Sequence, residues 1–290
     1  MDSFAGFAGG VSLLVAGPAG TGKSTLLGSA AKLAPTYLLA TKPRELNSWA
    51  YTTNGVTREN GRAELFFDHL WRPTLGSYKA DGFGRLLKRI WSLYEDPTVR
   101  IVLLDPITDV VSLAAHSMLS IENAAAPRDM NDPQSFYGAL KYKLKEFTQA
   151  LTALQYADVP KHVLATVHTQ PAKEDQPATK NRPARVSSDK IAKGVEFEGD
   201  VLPMIEGGYR REIASEFDAM LFSGVRYDWV ETKANGKVSR VQKPIYFVQV
   251  QPNAERHSKV AIAPLLGGRE LPNDFEVFIR AVQEAREGVK

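Results

Sequence analysis

The chain has 290 residues, 43% of them apolar and 24% charged, which is ordinary for a globular protein able to bury a substantial core. It contains no cysteine, so disulfides, thiolate metal sites and a cysteine nucleophile are excluded. A formal net charge of only +3 leaves any nucleic-acid surface to local clustering of basic residues.

No apolar run reaches the length of a membrane span, and residues 1–10 carry no basic residue of the kind a secretory signal needs. A cytoplasmic protein without membrane contact is the expectation. The first apolar run, Ser12 to Ala16, suits a buried strand, and it begins so early that no N-terminal accessory domain is expected. It leads into Gly17, Pro18, Ala19, Gly20, Thr21, Gly22, Lys23, Ser24 and Thr25, which match G-x-x-x-x-G-K-[ST] at every fixed position. Thr25 to Leu33 then reads as a helix. Strand, glycine-rich turn and helix N-terminus together make a phosphate cradle, because converging N–H groups and the helix dipole favour an anion. Lys23 would reach the β- and γ-phosphates of ATP, and the Ser24 hydroxyl would hold Mg²⁺.

Thr36 to Ala40 reads as a second strand, with Glu45 just past its end, and Ala63 to Phe67 as a third. Phe83, Leu86, Leu87, Ile90, Trp91 and Tyr94 recur at helical spacing over roughly 80–95, a core-packing face. Arg100 to Asp105 is an apolar run closed by one aspartate. Downstream of a phosphate loop this is a Walker B pattern, its carboxylate emerging at the strand edge where open α/β sheets bind ligands. Asp105 would share the Mg²⁺; the alternative is a turn aspartate before Pro106. Ala114 to Pro133 reads as loop-rich, and Asp132 with Pro133 as the start of the next helix, whose Leu140, Leu144, Phe147, Leu151 and Leu154 form one face. Lys141, Lys143 and Lys145 mark its solvated side.

His162 to Val167 is the fifth strand, and His168 and Gln170 at its end are placed to sense a γ-phosphate; a loop histidine is the alternative. From Pro171 to about Asp200 the chain is polar and proline-spotted. Within it Lys180, Arg182, Arg185, Lys190 and Lys193 face one acid, Asp189. Such a stretch suits a mobile loop on a phosphate backbone, against the plainer reading of a solvated loop, and it holds no aromatic until Phe197 to stack on bases. Beyond it the pattern turns to β: Phe217–Phe222, Tyr227–Thr232, a hairpin turn at Asn235-Gly236, Ile245–Val250 and Val260–Ala263. A last helix starts near Asn273. The sum is an α/β fold in one domain over 1–290: a mostly parallel core over 11–170, a basic loop over 171–200, and an antiparallel β extension with a C-terminal helix over 201–290.

GPAGTGKST at Gly17–Thr25, IVLLDPITDVV at Ile101–Val111, LATVHTQ at Leu164–Gln170 and FDAML at Phe217–Leu221 resemble the RecA-type P-loop ATPase core. Within it the chain is most similar to the phage-encoded, RecA-like nucleotide-binding proteins related to the Sak group of single-strand annealing proteins. In many AAA+ ATPases a glutamate directly follows the Walker B aspartate; here Pro106 stands there. In RecA-type ATPases the water-orienting glutamate lies just past the second strand, which implies Glu45; a surface glutamate opening a helix behind Pro43 is the alternative. The position of His168 holds an amide side chain in bacterial recombinases. The resemblance further implies ATP hydrolysis with Mg²⁺ and single-stranded DNA binding. It also implies a homo-oligomeric ring or filament, a single-strand DNA-binding protein as a further partner, and a phage-infected bacterial host. A neighbour's basic residue would complete the site; Arg256 and Lys259 match that region, or belong to an ordinary charged loop. Two other functions fit the loop: a nucleotide-driven assembly switch, and a small-molecule kinase.

Overall fold

A computed structural model describes residues 9–46, 61–66, 81–171, 201–203, 205, 209–234, 237–250 and 270–287. Five strands lie parallel: β1 (Ser12–Gly17), β2 (Thr36–Ala40), β3 (Gly61–Leu65), β4 (Ile101–Asp105) and β5 (His162–Pro171). A sixth, β7 (Ala219–Ala234), adds parallel to β1 through Leu13–Ala16. The chain then turns antiparallel. β8 (Lys237–Val250) runs back along β7, and β9 (Glu270–Pro272) pairs with β8. The strand order is β3-β2-β4-β5-β1-β7-β8-β9, and the short β6 (Val201–Pro203) pairs with the far end of β5.

The central strands are mostly apolar because both faces are covered. In β1, Leu14 and Ala16 point into a core built with α2 (Gly82–Glu95), α3 (Ile107–Ile121) and α4 (Phe136–Ala153). After the short α5 (Tyr209–Glu212) comes α6 (Phe275–Glu287), and the alternate residues Leu13 and Val15 point the other way, onto it and α1 (Lys23–Ala30). The same two-residue alternation places Leu39, Val102, Leu104, Val163 and Ala165 on the first face, and Leu38, Ile101, Leu103 and Leu164 on the second.

Several expectations need correction. The stretch expected to be loop-rich from Ala114 is helical to Ile121. Val110, Leu113, Ala114 and Met118 supply the three- and four-residue apolar spacing that seats α3 on the sheet. In α2 the buried stripe is Phe83, Leu86, Ile90 and Leu93, while Trp91 is 54% exposed. Asp132 accepts hydrogen bonds from the Gln134 and Ser135 amides, so it caps the turn before α4 and not the helix itself, which opens at Phe136. The lysine side of α4 is partly engaged: Lys141 pairs with Glu212 at 2.6 Å, and Lys143 lies over the Phe83 ring. The two strands expected at 217–222 and 227–232 are one, β7. Gly224 looks like a break, but a Cβ there would come within 2.3 Å of the Phe247 ring. The glycine serves a close cross-strand approach, not a turn. The β-hairpin register joins Ala234 to Lys237 across Asn235 and Gly236. The expected strand over 260–263, together with Arg256 and Lys259, lies outside the described residues.

Candidate nucleotide site

Strand order brings the expected residues to one edge. Gly17 at the end of β1 pairs with His168 on β5, and Ala40 at the end of β2 pairs with Asp105 on β4. The phosphate loop follows β1 directly. Gly20 and Gly22 adopt φ of 81° and 87°, left-handed conformations that a side-chain-bearing residue takes only with strain. Gly22 is also the N-cap of α1, so the α1 amides open toward the loop. Other elements hold the loop in place. Ser223 Oγ donates to Thr21 O at 2.6 Å, Asn273 Nδ2 to Gly22 O at 2.9 Å, and Thr21 Oγ1 to Pro18 O at 2.9 Å.

Lys23 is 6% exposed and folds back over the loop, donating to Gly17 O at 2.9 Å and Pro18 O at 2.7 Å. Burial pushes its pKa down to about 8, opposed by the charges of Asp105 and Glu45. Ser24 Oγ donates to Asp105 Oδ2 at 2.8 Å, and the Thr166 hydroxyl takes the other oxygen, Oδ1. The Asp105 carbonyl accepts from the Thr41 amide at 3.1 Å and its hydroxyl at 3.0 Å, which ties β2 to β4 beyond the ladder.

Glu45 is not a surface residue: it is 7% exposed. Arg44 Nε donates to its Oε1 at 2.6 Å. Burial raises the Glu45 pKa, Asp105 raises it further, and Arg44 opposes both. His168 is half-buried and donates its backbone amide to Thr108 Oγ1 at 2.9 Å. Burial lowers its pKa, with Lys23 adding to the effect, so the imidazole is neutral at pH 7. Gln170 sits on β5 opposite Leu202. Lys180, Arg182, Arg185, Lys190 and Lys193 lie outside the described residues.

Sequence reading missed a second layer. Asp109, one helical turn beyond Asp105, accepts from Thr41 Oγ1 at 3.3 Å and pairs with Lys42. Three carboxylates, Glu45, Asp105 and Asp109, thus neighbour three cations: Lys42 pairs with Asp109, Arg44 with Glu45, and Lys23 feels both Asp105 and Glu45. Thr166 had a visible signal, a lone polar residue inside a strand buried on both faces. Arg44, Lys42 and Asp109 had none, since their roles follow from the β2–β4 neighbourhood.

The donor set fits a nucleotide with Mg²⁺. The Ser24 hydroxyl and the Asp105 carboxylate are hard oxygen donors of the kind this ion takes. A Cβ at Gly17 would lie 2.6 Å from Ser223 O, so only glycine lets β7 support the loop so closely, while the space at Gly20 is open. A phosphate loop, an aspartate strand two positions away and one strand between them define a phosphate-loop nucleoside triphosphatase.

The sequence comparison is more specific: an AAA domain family model matches residues 10–248, and the chain belongs to that family. It is a nucleotide-binding ATPase domain whose Walker B aspartate is followed by Pro106. Among curated proteins, none matches the chain significantly. Solved structures similar to it include the flagellar accessory protein FlaH of Methanocaldococcus jannaschii, with TM-score 0.37 and 11% identity over 83% of this chain and 78% of that one. Another is a type III secretion system ATPase from pathogenic bacteria, with TM-score 0.41 and 16% identity over 73% and 52%. A third is the assembled type III secretion ATPase EscN of enteropathogenic E. coli, with TM-score 0.39 and 15% identity over 74% and 43%. The chain spans about half the length of the two secretion ATPases it matches. Among the described residues, no helix is long and apolar enough to cross a membrane.

Proposed function

We propose that this protein hydrolyses ATP with Mg²⁺ and couples the hydrolysis to single-stranded DNA, as a homo-oligomer serving phage-type annealing or replication. The observation that carries the catalytic part is the convergence of Lys23, Ser24, Asp105 and Glu45 on one sheet edge. The loop amides and Lys23 receive the phosphates, Lys23 exchanging the Gly17 and Pro18 carbonyls for phosphate oxygens. Ser24 and Asp105 would hold Mg²⁺, which would supply neutralisation of phosphate charge. Glu45 orients water and accepts its proton, and burial, which raises its pKa, makes it a stronger base than an ordinary carboxylate. Neutral His168 offers a hydrogen bond rather than a second positive charge. Attack of that water on the γ-phosphorus breaks the β–γ bridge and yields ADP and inorganic phosphate.

The DNA part is supported by the basic stretch over 176–193, with five basic residues and one acid. The test is phosphate release from ATP with and without single-stranded DNA across a salt series. Lys23→Ala is expected to abolish release; normal turnover by that variant would overturn the site. DNA is expected to stimulate wild-type release at low salt. ATP-dependent assembly without DNA binding or stimulation would instead mark a nucleotide switch, and transfer of phosphate to a nucleoside a kinase.

A further inference from the structure

Beyond Phe222 on β7 and Phe247 on β8, the two strands pair only with each other among the described residues, up to Ala234 and Lys237. They form a two-stranded ribbon leaving the sheet beside the phosphate loop. Tyr227 stands two residues from Trp229, and Val225 lies opposite Tyr246, so Tyr246, Tyr227 and Trp229 share one face of the ribbon. All three rings are open to solvent: Tyr246 is 39% exposed, Tyr227 60% and Trp229 67%. Their cross-strand partners Pro244 and Gln242 are also exposed, so among the described residues no side chain covers Tyr227 and Trp229. Arg240, exposed and paired with Glu231, stands on the same face beyond Trp229.

From Arg226 to Tyr246 the sequence has five basic residues and two acidic ones, an excess as large as that of the whole chain. Exposed rings on a positively charged ribbon are the two components of a single-strand platform: charge to track the backbone and π-faces for unstacked bases. The spacing separates single strand from duplex. Residues i and i+2 of a strand are about 7 Å apart, twice the ~3.4 Å rise per nucleotide of a stacked duplex strand. Tyr227 and Trp229 therefore suit bases pulled out of a stack.

We propose that this ribbon face is a binding surface for single-stranded DNA, with Trp229 and Tyr227 stacking on bases. It supplies the aromatic contact that the basic stretch over 176–193 lacks. The stripe also starts at the nucleotide site. A Cβ on Gly22 would lie 2.9 Å from Tyr246 Cδ1, so the Tyr246 ring rests against the N-cap of the phosphate-loop helix. DNA on the ribbon thus touches a residue in contact with the loop that holds ATP. The inference rests on the proposed DNA partner but not on hydrolysis.

The test is fluorescence anisotropy of a labelled thymidine oligomer, titrated with the full chain without nucleotide, across a salt series. Trp229→Ala and Tyr227→Ala are each expected to weaken binding roughly tenfold, within the span found when a stacking ring is removed. Tyr142→Ala, an exposed ring on α4, is the control and is expected to bind as wild type. Arg240→Ala is expected to lower the salt slope with a smaller loss of affinity. Equal affinity in wild type and both ring variants overturns the ribbon while leaving the DNA partner in place. No wild-type binding at low salt overturns both, whatever the ATPase does. Preference for a uridine oligomer over thymidine overturns the assignment to DNA. If the ring variants change sedimentation but not anisotropy, the stripe is a contact between copies of this chain and the proposal falls.

Discussion

Glu45 and Arg44 are adjacent in sequence and joined by a 2.6 Å ion pair, although one is buried and the other largely exposed. Burial and the neighbouring Asp105 push the Glu45 pKa up, and Arg44 pulls it down. A base works only when deprotonated, so hydrolysis is expected to rise with pH through that raised pKa. Removing Arg44 removes a direct opposing influence, so Arg44→Ala is expected to move the acid limb of the rate profile to higher pH. Glu45→Gln is expected to lower phosphate release at least a hundredfold with nucleotide affinity little changed. An acid limb left in place by Arg44→Ala, or fast release by Glu45→Gln, would assign the proton to another group. Lys23, Ser24 and Asp105 were legible in the sequence because their motifs are local. Glu45 was reached only through family resemblance, Thr166 showed only as a lone polar residue in an apolar strand, and Asp109 and Lys42 gave no signal, because what surrounds them is set by strand order.

At the scale of elements, the phosphate loop is a joint between β1, α1, β7 and the start of α6. Gly22 has φ 87°, and a Cβ there would meet Asn273 Nδ2 at 2.7 Å as well as the Tyr246 ring. Gly20 has φ 81° but open space around it. Both Gly22→Ala and Gly20→Ala carry the left-handed strain, about 1–2 kcal/mol, but only Gly22→Ala must also displace its neighbours. Gly22→Ala is therefore expected to weaken binding of a fluorescent ATP analogue tenfold or more beyond Gly20→Ala; equal losses would mean that the contacts to Asn273 and Tyr246 do not shape the loop. The strands of the core were legible because burial on both faces leaves unbroken apolar runs. α3 was missed because Ala114, Ala115 and Ser117 dilute its apolar period. The ribbon was read as separate pieces because Gly224 resembles a break until the Phe247 ring is seen above it.

At the scale of the molecule, the two cores on either side of the sheet are joined by the strands themselves and closed by distant segments. Asp218 Oδ2 accepts from both the amide and the hydroxyl of Ser12, at 2.8 Å and 3.0 Å, fastening the start of β7 to the start of β1. Across the sheet from the nucleotide edge, His162 is 6% exposed, with its ring edge-on to Phe275 of α6. Burial pushes its pKa down to about 4. The folded state thus prefers neutral histidine, while the unfolded chain takes up a proton below about pH 6.5. The stability this confers is present above that value and is lost as pH falls toward 4. Between pH 7 and pH 5 the loss from this one group is about 2 kcal/mol. Unfolding free energies from urea titrations at the two pH values are expected to differ less in His162→Phe than in wild type, by that amount. An unchanged difference would show that His162 already exchanges its proton freely in the native state.

The hydrogen bond from Asn273 to the Gly22 carbonyl joins residues 251 positions apart, and the amide of Phe275 reaches Ser29 on the same helix over a similar span. A ribosome moving at about 5–20 residues per second places many seconds of synthesis between the two ends of that bond. For that interval the glycine loop exists as chemistry without its bracket, and α1 has an uncovered apolar side. Nucleotide capture is therefore expected only after Asn273 and Phe275 have been made, and nascent chains arrested before residue 273 are expected to retain far less of an ATP analogue than chains arrested well beyond residue 287.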